Sequence, residues 1–233
     1  MTFIEHLSEL RKRLLAVVGA VVCASVVAYV FVDGLVALLS APAQGVQFVY
    51  LTPPELFLAY LRISLLAGLL ATMPFTLAQV WLFVRPGLTR RERRVTRFTL
   101  AGGSVFFVLG CAFSAVVILP MALRFFLQFA SETIEPMISF GNYVGFVASL
   151  LVAFGVAFEL PMIVVALARL DLVSVESLAA ARPYIVVGVL ALAAFLTPPD
   201  VVSQILLAVP LMALFELSLL FARITRRRAR QEE

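Results

Sequence analysis

The chain has 233 residues, 63% of them hydrophobic and 14% charged, against about 45–50% apolar and ~25% charged in soluble domains. That balance excludes a soluble domain, and the absence of strict two-residue alternation excludes a membrane barrel, leaving an all-α polytopic bundle. The formal charge of +4 points to nucleic acid only if its 18 basic residues are spread over one surface, and they are not.

Residues MTFIEHLSELRKRL predict a short amphipathic helix along the membrane surface, with Phe3, Leu7, Leu10 and Leu14 at spacings of three and four. Its basic cluster Arg11, Lys12, Arg13 abuts a first span at 14–32. Ala41-Pro42-Ala43 resembles a cleavage site, but the apolar run is too long for a signal peptide and reads as an uncleaved anchor. Thr52-Pro-Pro-Glu55 has the chemistry of a helix start, with Thr as N-cap, prolines in the first turn and Glu three residues on. The second span follows at 61–84, with Pro74 inside it and Arg62 snorkelling at its edge. Six arginines between Arg85 and Arg97 surround Glu92, and a third span runs over 98–121. A loop from Arg124 to Asn142 leads to the fourth span, 143–168.

Arg169 to Pro183 is polar, with Ser174 and Glu176 near a helical turn. The fifth span, 184–196, would reach only about 20 Å as a helix, against a hydrocarbon core of ~30 Å. Thr197-Pro-Pro-Asp200 turns the chain into a sixth run, 201–222, interrupted by Gln204, Pro210 and Glu216. Helices five and six are therefore expected to be short, and the charged tail from Arg223 to fray. In this six-span order all basic residues except Arg62 and Arg124 fall on one side, which the positive-inside rule makes the cytoplasm, with both termini there. The charge excess is topological, and residues 1–233 read as a single membrane domain.

Glu159 lies inside the fourth span, followed by Pro161. A carboxyl at that depth is costly, so such acids usually face a bundle interior or a wet cavity; a carboxyl hydrogen-bonded to a neighbouring helix is the plainer alternative. Glu9 and Glu92 each lie among arginines. Exposed helical ion pairs worth a few tenths of a kcal/mol are one reading; the other is a pair of carboxylates that take guanidinium groups in bidentate fashion. Cys23 and Cys111 read as buried thiols, and His6 has no nearby Cys or second His, so no metal site is indicated. Trp81 reads as an interfacial anchor. Nucleotide-loop, zinc-protease and serine-hydrolase patterns are absent, and the chain does not read as an enzyme. A proton-coupled transporter using Glu159 and a purely structural scaffold remain competing classes; no inverted repeat supports the first.

Seven motifs, in order over residues 3 to about 222, carry a resemblance: His6-Leu-x-Glu9-Leu-Arg11, Ser40-Ala-Pro42, Gln79-Val-Trp81-x-Phe83, Leu88-x-x-x-Glu92-Arg-Arg94, Phe154-Gly-Val-x-Phe158-Glu159-x-Pro161, Arg182-Pro-Tyr184 and Leu196-Thr-Pro-Pro-Asp200-Val-x-Ser-Gln204. Together they resemble the TatC family, the multispanning receptor subunit of the twin-arginine protein translocase. The resemblance implies a six-helix bundle shaped like a cupped hand in the cytoplasmic (inner) membrane. It implies binding of paired-arginine signal peptides on folded cargo, TatA- and TatB-type single-span partners, homo-oligomers within the receptor complex, and transport driven by the proton motive force without a cofactor. By motif, Glu9 and Glu92, with Arg11 and His6, would bind the signal peptide. Glu159, Gln79 and Gln204 would line the intramembrane cavity or meet a partner helix, and Pro42 and Asp200 would shape the outer loops.

Overall fold

The computed structural model describes residues 3–43, 46–84, 90–129, 136–170, 172–196 and 201–231, with some positions, Glu92 among them, described as backbone only. Among the described residues, five helices are long and apolar enough to cross a membrane: Ile4–Val30, Pro53–Phe83, Val95–Leu127, Phe140–Arg169 and Leu207–Ile224. A shorter apolar helix, Arg182–Ala194, accounts for the fifth run of the sequence. The protein is an all-α polytopic membrane protein.

The chain divides into two compact units, Met1–Val84 with Ala112–Val152 and Arg85–Cys111 with Ala153–Glu233. In the first, α1 (Phe3–Val30) packs along α3 (Pro53–Val84). The expected joint between a surface helix and the first span at Leu14 does not exist: α1 is one helix. No Pro or Gly precedes Gly19, and the Glu9–Arg13 pair one turn apart supports the ladder across the boundary between charged and apolar residues. Leu14, Val18, Val22, Val26 and Val30 form an exposed stripe on α1. Such a stripe belongs against lipid. Cys23 is also exposed on α1, not buried as the sequence suggested, while Cys111 is half-buried.

The connection after α1 is more ordered than a loop. Helix α2 (Val32–Ser40) runs into a 3-10 turn, Ala41–Ala43, that contains Pro42. Strand β1 (Phe48–Val49) then pairs in parallel with β2 (Ile138–Ser139), Phe48 opposite Ile138 and Val49 opposite Ser139. Glu55, in the first turn of α3, holds this junction. Its carboxylate accepts from the Leu51 N–H at 2.7 Å, from the Gly141 N–H at 3.0 Å and from the Ser139 hydroxyl. The Tyr143 hydroxyl donates to the Leu39 carbonyl at 2.6 Å, and the Phe48 ring lies against Phe140 and Tyr143.

Helix α4 (Arg90–Phe113) continues through a π-helical turn, Ser114–Ile118, into α5 (Leu119–Leu127), which carries Pro120 in its first turn. Proline cannot donate to the ladder and crowds the carbonyl four residues back, and the wider turn accommodates it. Several hydroxyls within the spans bond their own helices: Ser64 to Tyr60, Thr72 to Gly68, Thr99 to Val95 and Ser218 to Leu214. Each donor is thereby satisfied without a neighbour, as an apolar solvent requires.

In the second unit, α4 lies against the end of α6 (Phe140–Ala157) and against α7 (Leu160–Arg169). At Gly110 the neighbour is backbone: a Cβ there would run into the Phe154 carbonyl and come within 2.8 Å of the Phe158 Cβ. Helix α8 (Val175–Ala180) is capped by Ser174, whose hydroxyl accepts from the Ser177 N–H. Helices α9 (Arg182–Leu196) and α10 (Val201–Gln231) follow, α10 packing on α7, α8 and α9. The core of this unit is Val164, Ala168, Val175, Phe215, Leu219 and Ala222. The stretch Leu207–Ile224 of α10 is one of those long and apolar enough to cross a membrane. The helix itself does not end at Ala222; its backbone continues to Gln231.

Candidate functional site

Two acid-centred arrangements stand out, one in each unit. The first is built on α1 and α3. Glu9 is half-buried, and one of its oxygens accepts from both Nε (3.1 Å) and Nη2 of Arg13. The remaining arm of that guanidinium, Nη1, donates to Gln79 Oε1 at 3.2 Å. Arg13 is therefore held at both ends. The second Glu9 oxygen, Oε2, is buried and has no hydrogen-bond partner among the described residues. Beside it an open cavity of about 500 Å³ is lined by Glu5, Ser8, Glu9, Lys12, Arg13, Ala16 and Gln79.

Two turns back along α1, the His6 ring stacks on Phe83 with centroids 4.3 Å apart and planes at 16°. Gln79 and Phe83 are one turn apart on α3, so the same face of that helix receives Arg13 and His6. Arg11 is exposed. Glu92 lies in the first turn of α4, and its side chain is outside the described residues. The sequence grouping sets Gln79 with Glu159 and Gln204; in the structure it bonds Arg13 in the Glu9 arrangement. Arg13 was not among the expected site residues, although its four-residue spacing from Glu9 was visible; the contact with Gln79 depends on helix packing and leaves no local signal.

The second arrangement surrounds Glu159. The fourth span is two helices, α6 and α7, joined at Phe158 and Glu159. Pro161 has no N–H for the Ala157 carbonyl, so the ladder breaks there. The Glu159 N–H turns to Val156 O at 3.0 Å, and the Glu159 carbonyl accepts from both Met162 and Ile163. At this break the Glu159 side chain leans on α4, with Oε2 directly against Gly103. Its Oε1 is buried and has no hydrogen-bond partner among the described residues. Next to Gly103, Gly102 faces the end of Met162. Arg169, at the end of α7, sits over the Phe98 ring at 5.8 Å.

Of the remaining expected residues, Gln204 donates from Nε2 to the Leu190 carbonyl at 2.9 Å, tying the start of α10 to α9. The other end of α9 is held by Arg182, which bonds Glu216 through Nε and Nη2, both at 2.7 Å. Sequence reasoning treated Arg182 and Glu216 separately, because the bidentate pair forms only once α9 and α10 lie together. Pro42 is half-buried in its 3-10 turn, and Asp200 lies outside the described residues.

The family model for the Sec-independent protein translocase protein TatC matches residues 5–210. A Sec-independent protein translocase protein TatC from Desulforapulum autotrophicum is 41% identical over 227 residues, covering 95% of this chain and 84% of that protein. The protein of the same description from Escherichia coli is 36% identical, covering 99% of this chain and 91% of its own length. The crystal structure of a twin-arginine translocase receptor, TatC, superposes with a TM-score of 0.85 at 34% identity, over 94% of this chain and 98% of that one. The chain belongs to the TatC family of Sec-independent protein translocase proteins.

Proposed function

We propose that this chain is the signal-peptide receptor of a twin-arginine translocase in the cytoplasmic membrane, with both termini on the cytoplasmic side and its whole length acting as one membrane domain. Glu9 and Glu92 take the paired guanidinium groups of the signal peptide on a folded cargo protein. Gln79, His6 and Arg11 shape the ground around Glu9. The apolar part of the signal then enters the bilayer, where Glu159 and the Gln204 region meet TatA- and TatB-type single-span partners. Receptor units assemble as homo-oligomers, and the proton motive force drives transport.

One observation carries this reading. Glu9 already accepts a guanidinium, that of Arg13, through two N–H groups, while its second oxygen stays buried without a donor among the described residues. A carboxylate so arranged suits a forked donor better than the point charge of an ammonium. The Glu9–Arg13 pair is part-exposed and one turn apart, a class worth about 0.2–1 kcal/mol, so exchange for an incoming arginine is cheap.

The test is photo-crosslinking of a cargo signal peptide to the protein in membranes. An Arg-Arg signal is expected to crosslink to the wild type, a Lys-Lys signal weakly, and both Glu9→Ala and Glu92→Ala to lose the Arg-Arg product. Equal crosslinking in all cases would return both acids to ordinary ion pairs.

A further inference from the structure

The Glu159 carboxyl rests on a surface made by one missing side chain. A Cβ on Gly103 would strike Glu159 Oε2 and lie 3.2 Å from its Cδ and 3.3 Å from Oε1. All three nearest atoms belong to that one carboxyl. Gly103 is buried on α4, in the same unit as Glu159.

We infer that Gly103 is a positioning residue for Glu159: the absence of a Cβ lets the carboxyl lie down on α4, and this sets where the acid stands. The inference rests on the reading that Glu159 meets a partner helix, and it adds the residue that fixes the acid's place at that contact. Oε1 is buried in this placement without a donor among the described residues. A methyl at position 103 lifts the group off α4 and exposes it.

The neighbouring glycine supplies the control. A Cβ on Gly102 meets only the Met162 side chain, chiefly its terminal Cε, and an unbranched thioether moves aside readily. Gly102→Ala and Gly103→Ala thus add the same methyl to adjacent positions of one helix, each against the far end of a flexible side chain. In neither case are the nearest atoms backbone. Only the second moves the carboxyl.

The experiment labels the full chain in membranes with dicyclohexylcarbodiimide, an apolar reagent that adds to carboxyl groups within the bilayer, and quantifies the adduct at Glu159 by mass spectrometry. Gly103→Ala is expected to raise labelling several-fold, with Gly102→Ala close to wild type. In the double variant Gly103→Ala with Glu159→Asp, one carbon is moved from one helix to the other at nearly constant volume. It is expected to return labelling and partner crosslinking towards wild type. Equal labelling in Gly102→Ala and Gly103→Ala, or a double variant that restores neither readout, overturns the inference. If Gly103→Ala does not accumulate, the double variant is expected to restore accumulation, and a double variant that fails to do so overturns the inference. Glu159→Gln, scored for crosslinking to the single-span partners, tests the underlying reading separately. Unchanged crosslinking there removes the partner role, and the labelling series still decides what Gly103 does.

Discussion

Glu55 shows how much one carboxylate can hold when its acceptor capacity is filled. Two N–H groups and a hydroxyl converge on it from both sides of the β1–β2 pair. Glu55→Gln places an NH2 group against a donor. Hydrogen bonds to a charged acceptor are stronger than neutral ones, so the variant is expected to lose stability, read as a lower midpoint of denaturant unfolding in detergent. Ser139→Ala, which leaves both backbone donors in place, is expected to cost less. The same residue marks how far sequence reasoning reaches. Thr52-Pro-Pro-Glu55 announces a helix start, and α3 does begin at Pro53. A capping box turns the glutamate back on the N-cap residue, and the Thr52 backbone does help to hold this carboxylate; Glu55 also reaches Leu51 and, across the connecting strands, Ser139 and Gly141. The spacing was legible, but partners more than eighty positions away were not. Arg13 is the parallel case in the Glu9 site, where four-residue spacing is local information and the bond to Gln79 is not.

Among the elements, contact in the second unit depends on backbones that approach without side chains between them. At Gly110 an added methyl would meet the Phe154 carbonyl, a group that cannot swing away as the Glu159 carboxyl can. Overpacking of this kind costs about 1–3 kcal/mol. Gly110→Ala is expected to destabilise the folded protein by that amount and speed its proteolysis in detergent, with Gly102→Ala nearly neutral in the same assay. Apolar run length and the proline-containing segments made the spans readable from sequence. The errors have a common cause. Charge marks where a chain enters lipid, whereas a helix ends only where its ladder fails, so α1 ignores the boundary at Leu14 and α10 the one at Ala222. The π-helical turn before Pro120 and the two-residue strands carry no periodicity long enough to read.

For the whole molecule, the distribution of arginine and lysine sets a directional expectation. All basic residues but Arg62 and Arg124 lie on one side of the six-span order, and that side stays in the cytoplasm under the positive-inside rule. Single cysteines introduced at Gln47 and near the C-terminus, in a background with Cys23 and Cys111 removed, are expected to react with a membrane-impermeant maleimide from opposite sides of sealed vesicles. Reaction from the same side would reverse or break the proposed topology. The break at Glu159 has a mechanical meaning at this scale. A span with one backbone bond missing has its weakest point there. Any bending of this span is expected to centre at Phe158 and Glu159, and a group at the centre of a bend is displaced less than the ends of its arms.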